Sequence, residues 1–151
     1  MDKGVYCLIF QNRARTIRIG QLGTREFAAG WHLYVGSARG SGGLARAERH
    51  IRLFFKRDRP PRWHVDYLLL DPGFSLRAIA ASPTTRDLEC DLARALGGAS
   101  VPGFGCSDCS CPSHLFFRPE EPAAAVMAGF LAVGLHARIT TIKNEHDNVR
   151  I

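Results

Sequence analysis

Two tyrosines, an arginine and a histidine occupy the first third of the chain at spacings that let them act on one substrate. Tyr6 closes the strand-like tripeptide Gly4-Val5-Tyr6, and Tyr34 opens a second one, Tyr34-Val35-Gly36. Arg46 and His50 stand one helical turn apart, close enough to share a helix face. A guanidinium grips phosphate oxygens in pairs. An imidazole moves protons near neutrality. A phenol beside several cations ionises more readily than one in a neutral pocket. The set suits hydrolysis of a phosphodiester, which needs an activated water, a cation to neutralise the phosphorane and a path for the leaving oxygen.

The elements that must carry these residues are legible in outline. Val5 to Phe10, Thr16 to Ile19 and Trp31 to Val35 read as strands, the first as a largely buried one. Gly20 to Gly30 between them reads as loop. The Gly/Ser turn Gly40 to Gly43 precedes a helix at about 44–56, whose apolar stripe is Leu44, Ala47, Ile51, Phe54 and Phe55. His50 falls on the flank of that stripe; Arg46, Arg49 and Arg52 lie away from it. Asp58-Arg59-Pro60-Pro61 ends the helix. Trp63 to Leu70 is open between short helix and buried strand. Leu76 to Ala81 reads as a strand, and Thr84 or Thr85 as the cap of a helix reaching about Leu96. Gly97 to Pro112 is a long loop, His114 to Phe117 a last central strand, Glu121 to Val133 an apolar helix, and Arg138 to Ile142 an edge strand. The expected fold is α/β (α+β): a small central mixed β-sheet of three or more strands flanked by helices. Residues 1–143 are expected to form one domain and 144–151 a frayed tail.

The whole chain has 151 residues, 46% of them hydrophobic and 23% charged, which excludes a disordered polymer. No apolar run nears the roughly 20 residues of a membrane span. Met1-Asp2-Lys3 leads into a strand without a signal-peptide pattern, so a cytoplasmic location is the expectation. The net charge is +6, and 17 of the 20 basic residues are arginine. Between positions 39 and 62, eight cations face only Glu48 and Asp58, a footprint suited to nucleic acid. Arg39, Arg49, Arg52 and Lys56 are the candidate DNA contacts. A GC-rich coding bias and a plain solvated face explain the same composition.

Five cysteines make an odd count, which argues against a disulfide framework. Cys106, Cys109, Cys111 and His114 give Cys-x2-Cys-x-Cys-x2-His, four ligands zinc would take, though tight for one tetrahedron unless Cys90 joins. The rival is a small-residue loop buttressing the site, with Asp108 and His114 bonding inward.

Gly4-Val5-Tyr6, Tyr34-Val35-Gly36, the turn Ser37-Ala38, then Arg46 and His50 together resemble the GIY-YIG endonuclease superfamily. The run Tyr34-Val35-Gly36-Ser37-Ala38 with Arg46, Arg49 and His50 is similar to the phage homing enzymes. Arg62-Trp63-His64-Val65-Asp66-Tyr67 and Ser107-Asp108-Cys109-Ser110-Cys111-Pro112-Ser113-His114-Leu115 resemble the compact Uri branch. The Tyr6–Tyr34 gap and the turn before Arg46 are both long for the family. Ser37 replaces the lysine of the excision-repair nucleases, passing any such role to Arg18 or Arg39. The resemblance implies a metal-dependent endonuclease in which Tyr6 activates water, Tyr34 supports it, and Arg46 and His50 stabilise the transition state. It also implies His64 as a second catalytic imidazole, and one acidic ligand for Mg²⁺ or Mn²⁺ on a later helix. Among Asp87, Glu89 and Asp91, Glu89 sits on the flank of that helix's buried stripe, while Asp87 and Asp91 are expected to point elsewhere. An inactive nucleic-acid-binding module and a zinc-stabilised interaction domain are the alternatives; dimerisation is left open.

Overall fold

The computed structural model describes residues 2–106 and 110–143. Seven strands and four helices run in the order β1 (Gly4–Asn12), β2 (Arg15–Arg18), β3 (Thr24–Phe27), β4 (Gly30–Ala38), α1 (Ala45–Lys56), α2 (His64–Leu70), β5 (Phe74–Pro83), α3 (Glu89–Leu96), β6 (Leu115–Arg118), α4 (Ala123–Ala132) and β7 (Arg138–Thr141). Five strands form one sheet in the order β6-β4-β1-β5-β7, and β2 pairs with β3 as a separate hairpin. The α+β class expected from the sequence holds. The mixed sheet does not: every described pairing is antiparallel.

β1 is central and covered on both faces, which explains its nearly unbroken apolar run. Tyr6, Leu8 and Phe10 face one core with Ala47 and Ile51 of α1, Val65, Leu68 and Leu69 of α2, and Ile17 and Phe27 of the hairpin. Val5, Cys7 and Ile9 face the other with Leu92 and Ala93 of α3 and Val126 and Phe130 of α4. The period-two alternation of the strand thus feeds two apolar layers.

Three further expectations are corrected, and one left open is settled. Gly20 to Gly30 holds a short 3-10 turn, Gly20–Leu22, and strand β3; only Phe27 of β3 is buried, so the segment lacked an apolar signature. His114 to Phe117 forms β6 at an edge, beside β4 alone. Trp63 to Leu70 resolves as helix, because the Asp66 carboxylate accepts the Arg62 and Trp63 backbone N–H groups at 2.8 and 3.1 Å and fixes its first turn. α3 starts later than the threonines suggest: Thr84 Oγ1 accepts only the Arg86 N–H in a local turn, and the helix begins at Glu89. The 144–151 tail lies outside the described residues.

Candidate active site

Strand pairing first brings the tripeptides together. In the β1–β4 register Tyr6 lies opposite Gly36 and Leu8 opposite Tyr34, so both tyrosines share the face covered by α1 and α2. A Cβ at Gly36 would overlap the Tyr6 ring. The glycine is there because the ring passes directly over its backbone.

α1 then lays His50 against this pair. The Tyr6 hydroxyl and His50 Nε2 are 2.8 Å apart, and both residues are buried. Burial, with Arg46 and Arg49 nearby, pushes His50 down from 6.5 to about 3. Burial and the neighbouring Tyr34 raise Tyr6 well above the ordinary phenol value, and burial likewise raises Tyr34. Both groups are therefore neutral at rest, and the tautomer of His50 sets which of them donates. The cations around the site do not make a resting phenolate, because desolvation outweighs them.

A cleft of about 1170 Å³ opens over these groups. Tyr6, Tyr34, Arg39, Arg46, His50, His64 and Glu89 all line it; Arg49, Arg52 and Lys56 do not. Arg46 Nη1 donates to the Ser37 carbonyl at 2.9 Å. The Arg46 and Arg49 guanidinium groups stack over Trp63, 4.7 and 5.0 Å from its ring centroid. Trp63 thus forms the platform under both arginines. Nothing in its spacing signals this, since the contact needs the α1–α2 packing. His64 Nδ1 accepts the Gly105 N–H at 2.8 Å, which places its proton on Nε2 and ties the cysteine loop to α2. Gly105 is in the left-handed region at φ 74, and a Cβ there would crowd Tyr34 and His114 at 3.2 Å.

The three carboxylates differ in their partners. Asp87 and Asp91 also line the cleft, against the expectation that they point elsewhere. Their partners are Arg39 at 3.2 Å and Arg94 at 2.7 Å. Glu89, with its side chain 20% exposed, lies 3.2 Å from His114 Nδ1. It also acts electrostatically on both Tyr6 and Tyr34. Its carboxylate lines the cleft, a hard oxygen donor of the kind that Mg²⁺ or Mn²⁺ takes.

The cysteine expectation is corrected once. Cys90 and Cys111 form a disulfide despite the odd cysteine count. Among the described residues the ligand-like cluster is Cys90 with Cys111 and His114. The reason is the late start of α3, whose first turn sets Cys90 against the loop. Cys106 is half-buried and its thiol contacts the Phe104 carbonyl; Asp108 and Cys109 lie outside the described residues.

The family model described as Domain of unknown function DUF123 matches residues 5–134. The chain belongs to that family. No curated protein and no solved structure matches it. No helix among the described residues is long and apolar enough to cross a membrane.

Proposed function

We propose that this chain is a metal-dependent DNA endonuclease of the GIY-YIG superfamily, of the compact Uri type, acting in the cytoplasm. The observation that carries the reading is the 2.8 Å Tyr6–His50 hydrogen bond, set in one cleft with Arg46, Tyr34 and Glu89. Phosphate entering the cleft meets Arg46, held in place by the Ser37 carbonyl and Trp63. Burial is the main cause of the low His50 value and Arg46 and Arg49 add to it; the phosphate's negative charge offsets the part due to the cations, so the imidazole gains proton affinity as substrate binds. The attacking water passes a proton to the Tyr6 oxygen while Tyr6 passes its own to His50 Nε2. In this relay Tyr6 remains a phenol throughout, consistent with its raised pKa. Glu89 would hold a divalent ion, and that ion, when bound, would supply charge neutralisation for the phosphate. Tyr34 and the Nε2–H of His64 serve as hydrogen-bond donors on the cleft wall.

The test is a cleavage panel of single-stranded, duplex and branched DNA with Mg²⁺ or Mn²⁺. Wild-type protein cuts at least one of them. Tyr6→Phe and His50→Gln each lose about 10²–10⁴-fold in rate, as does Glu89→Gln, while DNA binding is kept. One observation favours a second reading: Tyr6 is only 2% exposed, as in a nucleic-acid-binding module without turnover. Salt-sensitive binding with no cleavage across the panel selects that reading and rejects the nuclease.

A further inference from the structure

We propose that Cys90, Cys111 and His114, with the two cysteines as thiols, form a zinc site in the wall of the cleft. Their ligand atoms lie within 4.8 Å of one another, and the two cysteine Cα atoms are 5.6 Å apart. His114 Nε2 faces Cys111 Sγ at 2.8 Å and Cys90 Sγ at 4.0 Å. On the other side of the ring, Nδ1 meets the Glu89 carboxylate at 3.2 Å. A carboxylate on Nδ1 keeps the proton there and turns the Nε2 lone pair toward the sulfurs, the arrangement that orients a metal-ligating histidine. His114 and Cys111 are 2% and 4% exposed, so the ring cannot swing away.

The donors must spread to take the ion, the two sulfurs parting once their bond is broken. Zn–S near 2.3 Å and Zn–N near 2.0 Å in a tetrahedron set the donors roughly 3.5–3.8 Å apart. Cys90 Sγ is close to that distance from Nε2 already, and Cys111 Sγ must withdraw by about 1 Å. A dithiol reductant transfers two electrons and two protons to the Cys90–Cys111 bond and itself ends as a disulfide; the S–S bond breaks and two thiols form. Zn²⁺ then displaces both thiol protons to solvent and takes the Nε2 lone pair. Two thiolates and an imidazole select zinc over the hard ions suited to Glu89. Cys90 and His114 line the cleft, so the fourth corner is reached from it.

The assignment is independent of nuclease activity, and its readout is metal. Full-length chain purified under a dithiol, stripped with a chelator and dialysed against ZnCl₂ should hold one zinc per chain. Chain oxidised to the disulfide should hold none. Co²⁺ in place of zinc should give tetrahedral d–d bands with a sulfur-to-cobalt charge-transfer band. Cys90→Ser decides between this set and the ligands of the cysteine loop alone: it should lose the zinc, and full retention overturns the assignment. To guard against a variant that misfolds, reduced wild-type chain is alkylated with iodoacetamide with and without zinc, and the sites are mapped by mass spectrometry. Zinc should protect both Cys90 and Cys111. Equal labelling of Cys90 in the two samples, or no zinc uptake by reduced chain, overturns the site.

Discussion

At the scale of single residues, the tightest constraint is the pairing of Tyr6 with Gly36. The two tripeptides stand far apart in the sequence, and their spacing alone does not show that the glycine of one serves the tyrosine of the other. The strand register does, by placing the ring over the backbone where no Cβ fits. Gly36→Ala must displace either the ring or β4, at about 1–3 kcal/mol for overpacking a filled site. It should lower the thermal midpoint and, by breaking the Tyr6–His50 alignment, suppress cleavage more than DNA binding. A circular-dichroism melt beside a nicking assay checks both, and an unshifted midpoint would show that the ring is free to move. The same scale separates what was legible from what was not. Tyr6, Tyr34, Arg46, His50 and Glu89, which line one cleft, could be singled out through motifs that resemble a known family. The platform role of Trp63 and the Cys90–Cys111 disulfide could not, because each depends on two elements meeting in space.

Among the elements, β1, β4, β5 and α1 were readable because each buries a continuous stripe or run. β2 and β3 carry little buried surface, so only half of their hairpin left a trace. α3 is the element on which the cleft most depends, since its first turn presents both Glu89 and Cys90. Its far end is held from another strand: Arg118 of β6 donates to the Leu96 and Gly97 carbonyls at 2.6 and 2.9 Å. Those carbonyls have no partner within the helix, and a cation there also suits the negative end of the helix dipole. Removing the guanidinium with Arg118→Ala should cost about 1.5–3 kcal/mol, the range for hydrogen bonds to a charged group. The loss should be local. Hydrogen exchange should quicken at the amides of α3 more than at those of β1, and uniform quickening across the chain would refute the local role.

The molecule as a whole is shaped by two charge effects. Burial lowers His32 to about 4 and His50 to about 3, both from 6.5. The unfolded chain therefore takes up protons below pH 6.5 that the folded chain refuses. The stability tied to these neutral rings is fully present above pH 6.5 and is lost as pH falls toward 4 and then 3. Urea midpoints should drop across that window, and His50→Gln should flatten the drop. The second effect is the net charge of +6, which lies unevenly. Arg46, Arg49, Arg52 and Lys56 all project from exposed positions of α1, and Arg39 stands before it. If these five meet phosphates of duplex DNA, the logarithm of the binding constant should fall against the logarithm of salt with a slope of about −4.5, at about −0.9 per neutralised phosphate. Replacing Arg52 and Lys56 with glutamine should bring that slope to about −2.7 and weaken binding to all sequences alike. The measurement is fluorescence anisotropy of a labelled duplex over a salt series. A slope unchanged by the double replacement would mean that DNA does not lie along α1, and the polyanion path would then have to run through the cleft and the Trp63 platform alone.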